Sequence, residues 1–284
     1  MSGVLVAVDI DRTLIYSAAA QLLGAPDESS SAAVGRVEAG SGELVEVERF
    51  EGRPAAAMTA RAAALLLELR AAAHLVPVTT RTTAQFERVR WPGGPLPYAI
   101  TTNGARILVG GAEDEDWSAV VAARIADGCG PIGAVREILA HAGPWLLRLR
   151  DADQLFSYAI VDRPLLPAQE LAELRARLSA LNWVVSVQGS KLYCLPVPLT
   201  KSAAAAELAD RLGSSASLAA GDSLLDADVL AWADRAIRPA HGELAAAGWR
   251  IPGLEVTSAQ GILAGEQILD WLLSQTRALA GSAR

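Results

Sequence analysis

The ten residues Val4–Thr13, VLVAVDIDRT, constrain this chain more than any other stretch. Val4, Leu5, Val6, Ala7 and Val8 form an unbroken apolar run, short for a helix and rich in β-branched residues, so it reads as a strand buried on both faces. Asp9 and Asp11 stand where it stops. Side chains alternate along extended backbone, so residues two apart point the same way, and both acids face one spot at the strand's carboxyl end. Open α/β sheets bind ligands there. Two like charges at the edge of a core repel and resist desolvation unless a cation or a shared proton relieves them, so the arrangement asks for a metal. Taken alone, the pair is equally compatible with turn chemistry closing a strand, with Thr13 capping the next segment.

The rest of the chain supplies the context. Its 284 residues allow one large or two modest domains, and no apolar run approaches the ~20 residues that span a bilayer. The chain enters its first strand with no basic or cleavable apolar segment ahead of it, which predicts no secretion signal. Cys129 and Cys194 are too few and too far apart for a disulfide framework or a metal cluster, and the expected compartment is the cytoplasm. A net charge of -7 argues against non-specific binding to nucleic acid or an anionic membrane. Oligomeric state is not legible. Basic residues are almost all arginine, and the only lysines are Lys191 and Lys201. A retained lysine in such a background raises the question of what a compact ammonium does there that a guanidinium cannot.

Residues 16–57 carry Ser-rich and Gly-rich patches and one alternating stretch, Leu44–Phe50, suited to a half-exposed strand or hairpin, and are expected to form a flap over the end of the first strand. Thr59 can cap a helix over 60–73, with His74 at its end. The strand Leu75–Val78 runs into Thr79, Thr80 and Arg81, a helix is expected over 83–90, and the strand Tyr98–Thr101 leads to Thr102, Asn103, Gly104 and Ala105. Alternation of strands and helices predicts right-handed parallel units. From about residue 110 to 189, strand pairs and helices read as an inserted α+β block with a mostly antiparallel sheet. The parallel pattern then resumes with a helix after Thr200, a strand Ser217–Ala220 leading into GDSLLDADVL, and short strands near 235–237 and 254–256. A carboxy-terminal helix over 262–273 closes the chain. The fold class is therefore α/β: a Rossmann-like, doubly wound parallel-sheet core, 1–109 with 190–284, and an inserted α+β cap domain, 110–189.

Four pieces line up at carboxyl ends of core strands: DIDRT at 9–13, Thr79 in VPVTTRT, Lys201 in PLTKSAAAA, and Asp222 with Asp226 in GDSLLD. In this order they resemble the haloacid dehalogenase superfamily of phosphatases over essentially the whole chain. The Asn-Gly-Ala after the third strand, and an insert between the Thr and Lys motifs, resemble the subgroup with a type-IIB cap, which includes Cof-like sugar phosphatases and the sucrose-phosphate, trehalose-phosphate and mannosyl-3-phosphoglycerate phosphatases. One departure stands out. The family often has Asn before the second acid of the GDxxxD motif, and here Leu225 takes that place.

The resemblance implies a Mg²⁺-dependent phosphomonoester hydrolase for a small phosphorylated metabolite, a sugar phosphate or phosphoglycerate-type compound. Asp9 would attack phosphorus and form an aspartyl-phosphate, and Asp11 would protonate the departing alkoxide and then take a proton from water. Thr79 would hydrogen-bond a phosphoryl oxygen, and Lys201 would neutralise the nucleophile and the transferring group. The metal site is assigned to Asp9, Asp11 through its backbone carbonyl, Asp222 and Asp226, the last as an anchor for Lys201 or a metal-bound water. A lysine in the first turn of a helix opposes the macrodipole, which a bound anion would offset. Substrate contacts are expected from Thr79, Thr80, Arg81 and Asn103, and from Arg148 and Arg150, which share a face of one cap strand and could grip a carboxylate or second phosphate. Lys191 reads as surface, and Asp228 as a solvated helix residue. Two other readings stay open. One is a phosphomutase or phosphotransferase using the same aspartyl-phosphate; the other is a non-catalytic phosphate-binding module, against which the intact acid pair counts.

Overall fold

The computed structural model describes residues 3–23 and 42–282; the Ser-rich patch at 27–35 lies outside them. In chain order its elements begin with β1 (Val4–Val8), α1 (Ala18–Gln21), β2 (Leu44–Phe50), β3 (Arg53–Thr59), α2 (Ala60–Ala72), β4 (His74–Pro77), α3 (Thr83–Phe86), β5 (Tyr98–Thr101), β6 (Arg106–Val109) and β7 (Ala112–Glu113). Next come α4 (Glu115–Gly128), α5 (Ile132–Ala140), β8 (Leu146–Ala152), β9 (Phe156–Val161), α6 (Ala168–Ser179), β10 (Trp183–Gln188) and β11 (Lys191–Pro196). The last are α7 (Lys201–Arg211), β12 (Ala216–Ala220), α8 (Ala227–Trp232), β13 (Arg235–Arg238), α9 (Glu243–Ala246), β14 (Glu255–Val256) and α10 (Ile262–Ser282).

The chain divides into two compact units, Met1–Glu113 with Lys201–Arg284, and Asp114–Thr200. The first is built on a parallel sheet of order β14-β13-β12-β1-β4. Strand β5 continues it through a parallel bridge between Val78 and Ile100, then folds back antiparallel onto β6. Because β1 has the next core strand, β4, on one side and the late strand β12 on the other, chain order reverses at β1. Its carboxyl end is therefore the topological switch point, where a crevice opens in sheets of this kind. All of β1 is buried, as its unbroken apolar run requires. Val4, Val6 and Val8 pack with Leu66 and Leu69 of α2 and Ile268, Leu269 and Leu272 of α10, each such side chain contributing roughly 1.5–3 kcal/mol.

Local chemistry sets the helix ends. Thr59 Oγ1 accepts from the Ala62 N–H at 3.0 Å, capping α2, and itself donates to Glu266 at 2.6 Å. His74 opens β4 rather than ending the helix, paired with Leu5 and set edge-on to the Tyr98 ring. The helix expected over 83–90 stops at Phe86, because the next turn is captured by the hairpin: Arg90 N–H donates to Val47 O at 2.7 Å and Val89 bridges Glu48. Of the strand or hairpin expected around Leu44–Phe50, the structure has the hairpin, with β3 as its second strand although RPAAAMT carries no β-branched residue before Thr59.

The second unit is a four-stranded antiparallel sheet of order β10-β11-β9-β8, with α5 against β9 and α6 against β10. Its limits are Asp114 and Thr200 instead of 110 and 189, since β11 is hydrogen-bonded between β10 and β9 and cannot be assigned to the core sheet. Asp114 marks the start physically: its Oδ1 accepts from Trp117 N–H at 2.7 Å and caps α4. Among the described residues no helix is long and apolar enough to cross a membrane.

Candidate active site

The DIDRT loop leaves β1 with Asp9 N–H donating to Ala220 O of β12 at 2.8 Å, and on the other side Val78 N–H donates to Val8 O at 2.8 Å. The ends of three strands are thus tied together at Asp9. Ile10 O accepts from the backbone N–H groups of Thr13, Leu14 and Ile15, and Arg12 takes a left-handed conformation at φ 61° to close the turn. His241 braces this loop. Gly261 N–H donates to its Nδ1 at 3.1 Å, so the ring is the tautomer whose Nε2–H donates to Arg12 O at 2.9 Å. Burial holds His241 below its ordinary value, in keeping with that neutral form.

Asp9, Asp222 and Asp226 form a buried cluster in which one carboxylate oxygen from each lies within 4.8 Å of the others. Lys201, 1 % exposed, donates from Nζ to Asp9 Oδ1 at 2.7 Å and to Asp226 Oδ1. The other oxygen of Asp226 accepts from Asp222 N–H at 3.1 Å and from Ser223 N–H and Oγ–H, both at 2.8 Å. Both Asp226 oxygens are therefore committed to lysine and loop, which suits an anchor. Gly221 makes this closeness possible, since a Cβ there would collide with the Asp226 side chain. Asp228 differs from its sequence reading. Its Oδ2 accepts from Ser202 N–H at 2.7 Å, so it caps the helix that carries Lys201 and supplies negative charge where that helix and the ammonium are positive.

The electrostatics point the same way. Burial, and then the charge of Asp226, raise Asp9 to about 7 despite Lys201. Asp222 is pushed well up by burial and by Asp9 and Asp226. Burial opposes the Lys201 charge, yet Asp226 and Asp9 together hold the ammonium above the ordinary lysine value. One ammonium does not balance three buried carboxylates, so a further cation is the natural complement. With Asp226 committed, Asp9 and Asp222 remain as oxygen donors for a hard divalent ion.

Asp11 contributes no side-chain oxygen to that cluster. Its half-exposed carboxylate is gripped at both oxygens by Arg81, Nε to Oδ2 at 2.8 Å and Nη2 to Oδ1 at 2.7 Å. Thr79 is buried, and its Oγ1 accepts from Arg81 N–H at 3.1 Å, leaving its own hydroxyl hydrogen to be donated elsewhere. Thr80 lies half-buried in the same turn. Asn103 is buried and left-handed at φ 57°, its backbone N–H donating to Thr79 O at 2.9 Å, while Thr102 N–H donates to Arg81 O at 2.7 Å. The two loops expected to contact substrate are thus fastened to each other. Arg148 and Arg150 belong to the second unit, exposed on its edge strand β8 opposite Ile160 and Tyr158.

No family model and no curated protein matches the chain. Solved structures do. The sucrose-phosphatase of Synechocystis sp. PCC6803, in complex with sucrose and phosphate, has 15% sequence identity and a TM-score of 0.65, covering 98% of this chain and 99% of its own. A trehalose-6-phosphate phosphatase related protein has 16% identity and a TM-score of 0.52, covering 96% of this chain and 99% of its own. A phosphatase of the haloalkanoate (HAD) enzyme superfamily from Bacteroides thetaiotaomicron has 12% identity and a TM-score of 0.53, covering 94% of each chain. The chain shares the fold of these proteins, as the order of its motifs predicts. That likeness carries the fold; what the site does rests on its own residues.

Proposed function

We propose that the protein is a Mg²⁺-dependent phosphomonoester hydrolase for a small phosphorylated metabolite, a sugar phosphate or phosphoglycerate-type compound. The observation that carries this reading is Asp9 itself, a buried carboxylate at the switch point of the sheet, held at one oxygen by Lys201 and facing a second acid, Asp222. The lysine fixes the Asp9 carboxylate in one orientation and offers positive charge to a transferring phosphoryl group. In-line attack by Asp9 forms an aspartyl-phosphate as the ester oxygen departs, with Asp11 supplying the proton to the alkoxide and afterwards taking one from water. Thr79 donates its hydroxyl to a phosphoryl oxygen. Mg²⁺, held by Asp9, Asp222 and the backbone carbonyl of Asp11, would screen the dianionic ester from the nucleophile. Arg148 and Arg150 are candidates for a second anionic group on the substrate. The two cysteines, both free, suit a reducing cytoplasm.

The test is phosphate release from a panel of sugar phosphates, phosphoglycerates and nucleotides, with Mg²⁺ or with EDTA. Release that needs the metal and is confined to a few related compounds is the expected result. No release from any member would sink the reading, and recovery of phosphate on an added sugar instead of in solution would convert it to a transferase.

Metal binding has its own structural check at Gly242. This residue has φ 88°, and a Cβ there would lie 2.6 Å from both the backbone O and Oδ2 of Asp222. Gly242→Ala must displace Asp222, so Mg²⁺ affinity by calorimetry should weaken about ten- to hundredfold. Unchanged affinity would remove Asp222 from the proposed ligand set.

A further inference from the structure

Behind Asp11 the hairpin of β2 and β3 places another acid. Glu48 stands on β2 between two register shifts, and its side chain is only 4% exposed. Each of its oxygens is taken by an arginine: Oε2 accepts from Arg81 Nη2 at 2.9 Å and Oε1 from Arg88 Nε at 3.0 Å. Arg81, 13% exposed, is the same guanidinium that grips both oxygens of Asp11, and its Nη1 reaches Gln85 O at 3.4 Å. One nitrogen, Nη2, therefore serves Asp11 and Glu48 at once. The hairpin is also fastened to the segment after Thr79 by the Glu48–Val89 bridge and by Arg88 lying 5.0 Å over the Phe50 ring.

A buried carboxylate is costly to desolvate, and an anchor between hairpin and loop could be wholly apolar, as Val47 and Phe86 already are nearby. A charged acid does something an apolar anchor cannot. A guanidinium is planar with its donors in a fixed fork, so an acceptor on one edge dictates where the other edge points. We infer that Glu48 is a positioning residue for the reaction: it sets the plane of Arg81, and Arg81 in turn sets the carboxylate of Asp11, whose side chain is 54% exposed. The inference rests on the reading that Asp11 moves the proton. It extends the active site to the hairpin of β2 and β3.

The experiment is a double-mutant cycle on steady-state hydrolysis of the best sugar phosphate from the panel, whose departing alkoxide needs a proton. Glu48→Gln keeps the shape but replaces one acceptor oxygen by a donor. It should lower kcat about ten- to hundredfold and leave KM within about twofold. Arg81→Met should do the same, and Glu48→Gln added to Arg81→Met should cost nothing more, because the link is already cut. Arg81→Lys, charged but without the fork, should behave like Arg81→Met. Melting curves on each variant set the assay temperature below unfolding. Multiplying effects of Glu48→Gln and Arg81→Met, an unchanged kcat, or a rise confined to KM would overturn the inference while leaving the phosphatase reading intact. A wild-type protein that releases phosphate from nothing would overturn both.

Discussion

Asp9→Asn is expected to abolish phosphate release, by roughly 10⁴-fold or more, while leaving the fold as stable as before or more so. The two halves of that result have one origin. Asparagine has the shape of aspartate, but its amide is no nucleophile toward phosphorus. It also removes one of three buried acids whose mutual repulsion and burial raise Asp9 to about 7. Lys201 keeps Asp226 as its partner. In EDTA, therefore, the melting temperature of Asp9→Asn should equal or exceed that of the wild type, the pattern of a residue kept for function against stability. Stability and phosphate release are measured on the same preparation. A variant that folds and still turns over would remove Asp9 as the nucleophile, and a variant that unfolds would mean the carboxylate holds the loop together.

Much of this was legible because strand ends are legible. An apolar run, the period of two and the order of the elements suffice to place Asp9, Thr79 and Asp222 at carboxyl ends of neighbouring strands, as the pairing of β1 with β4 and β12 does in the structure. Lys201 stood out for being a lysine among arginines. What escaped depends on contacts between distant segments. Asp228 looked like surface, and only the fold brings it to Ser202 N–H. His241 has no motif around it, and its service to Arg12 spans most of the chain. The same holds for Glu48, one alternating residue in LVEVERF until β2 lies against the segment after α3. Helix α3 ends early for that reason too, since local propensity in TAQFERVR yields to a hairpin that takes up its next backbone groups. The strand Lys191–Leu195, read as the last of the insert, does pair with β10 and β9, so the insert reaches past residue 189.

Lys201→Met is expected to cost both activity and stability, and the way the two separate is the sharper test. Methionine fills much the same volume in a site that is 1% exposed, so packing survives. What is lost is the only cation hydrogen-bonded to both Asp9 and Asp226 among the described residues. Removing one partner of a buried ion pair leaves an uncompensated charge, at about 3–5 kcal/mol, and the melting temperature should fall on the order of 10 °C. Turnover should fall at least about 10²- to 10³-fold, since charge that met the transferring phosphoryl group is gone. Adding Asp226→Asn should then recover most of the stability and none of the turnover. The asparagine carbonyl can still accept from Asp222 and Ser223, where Asp226 Oδ2 does now, while its amide faces the space the ammonium left. Activity recovered together with stability would mean that Lys201 is only a structural counter-ion. Stability that stays low would mean that the Asp226 charge has a second role in the loop, beyond anchoring the lysine.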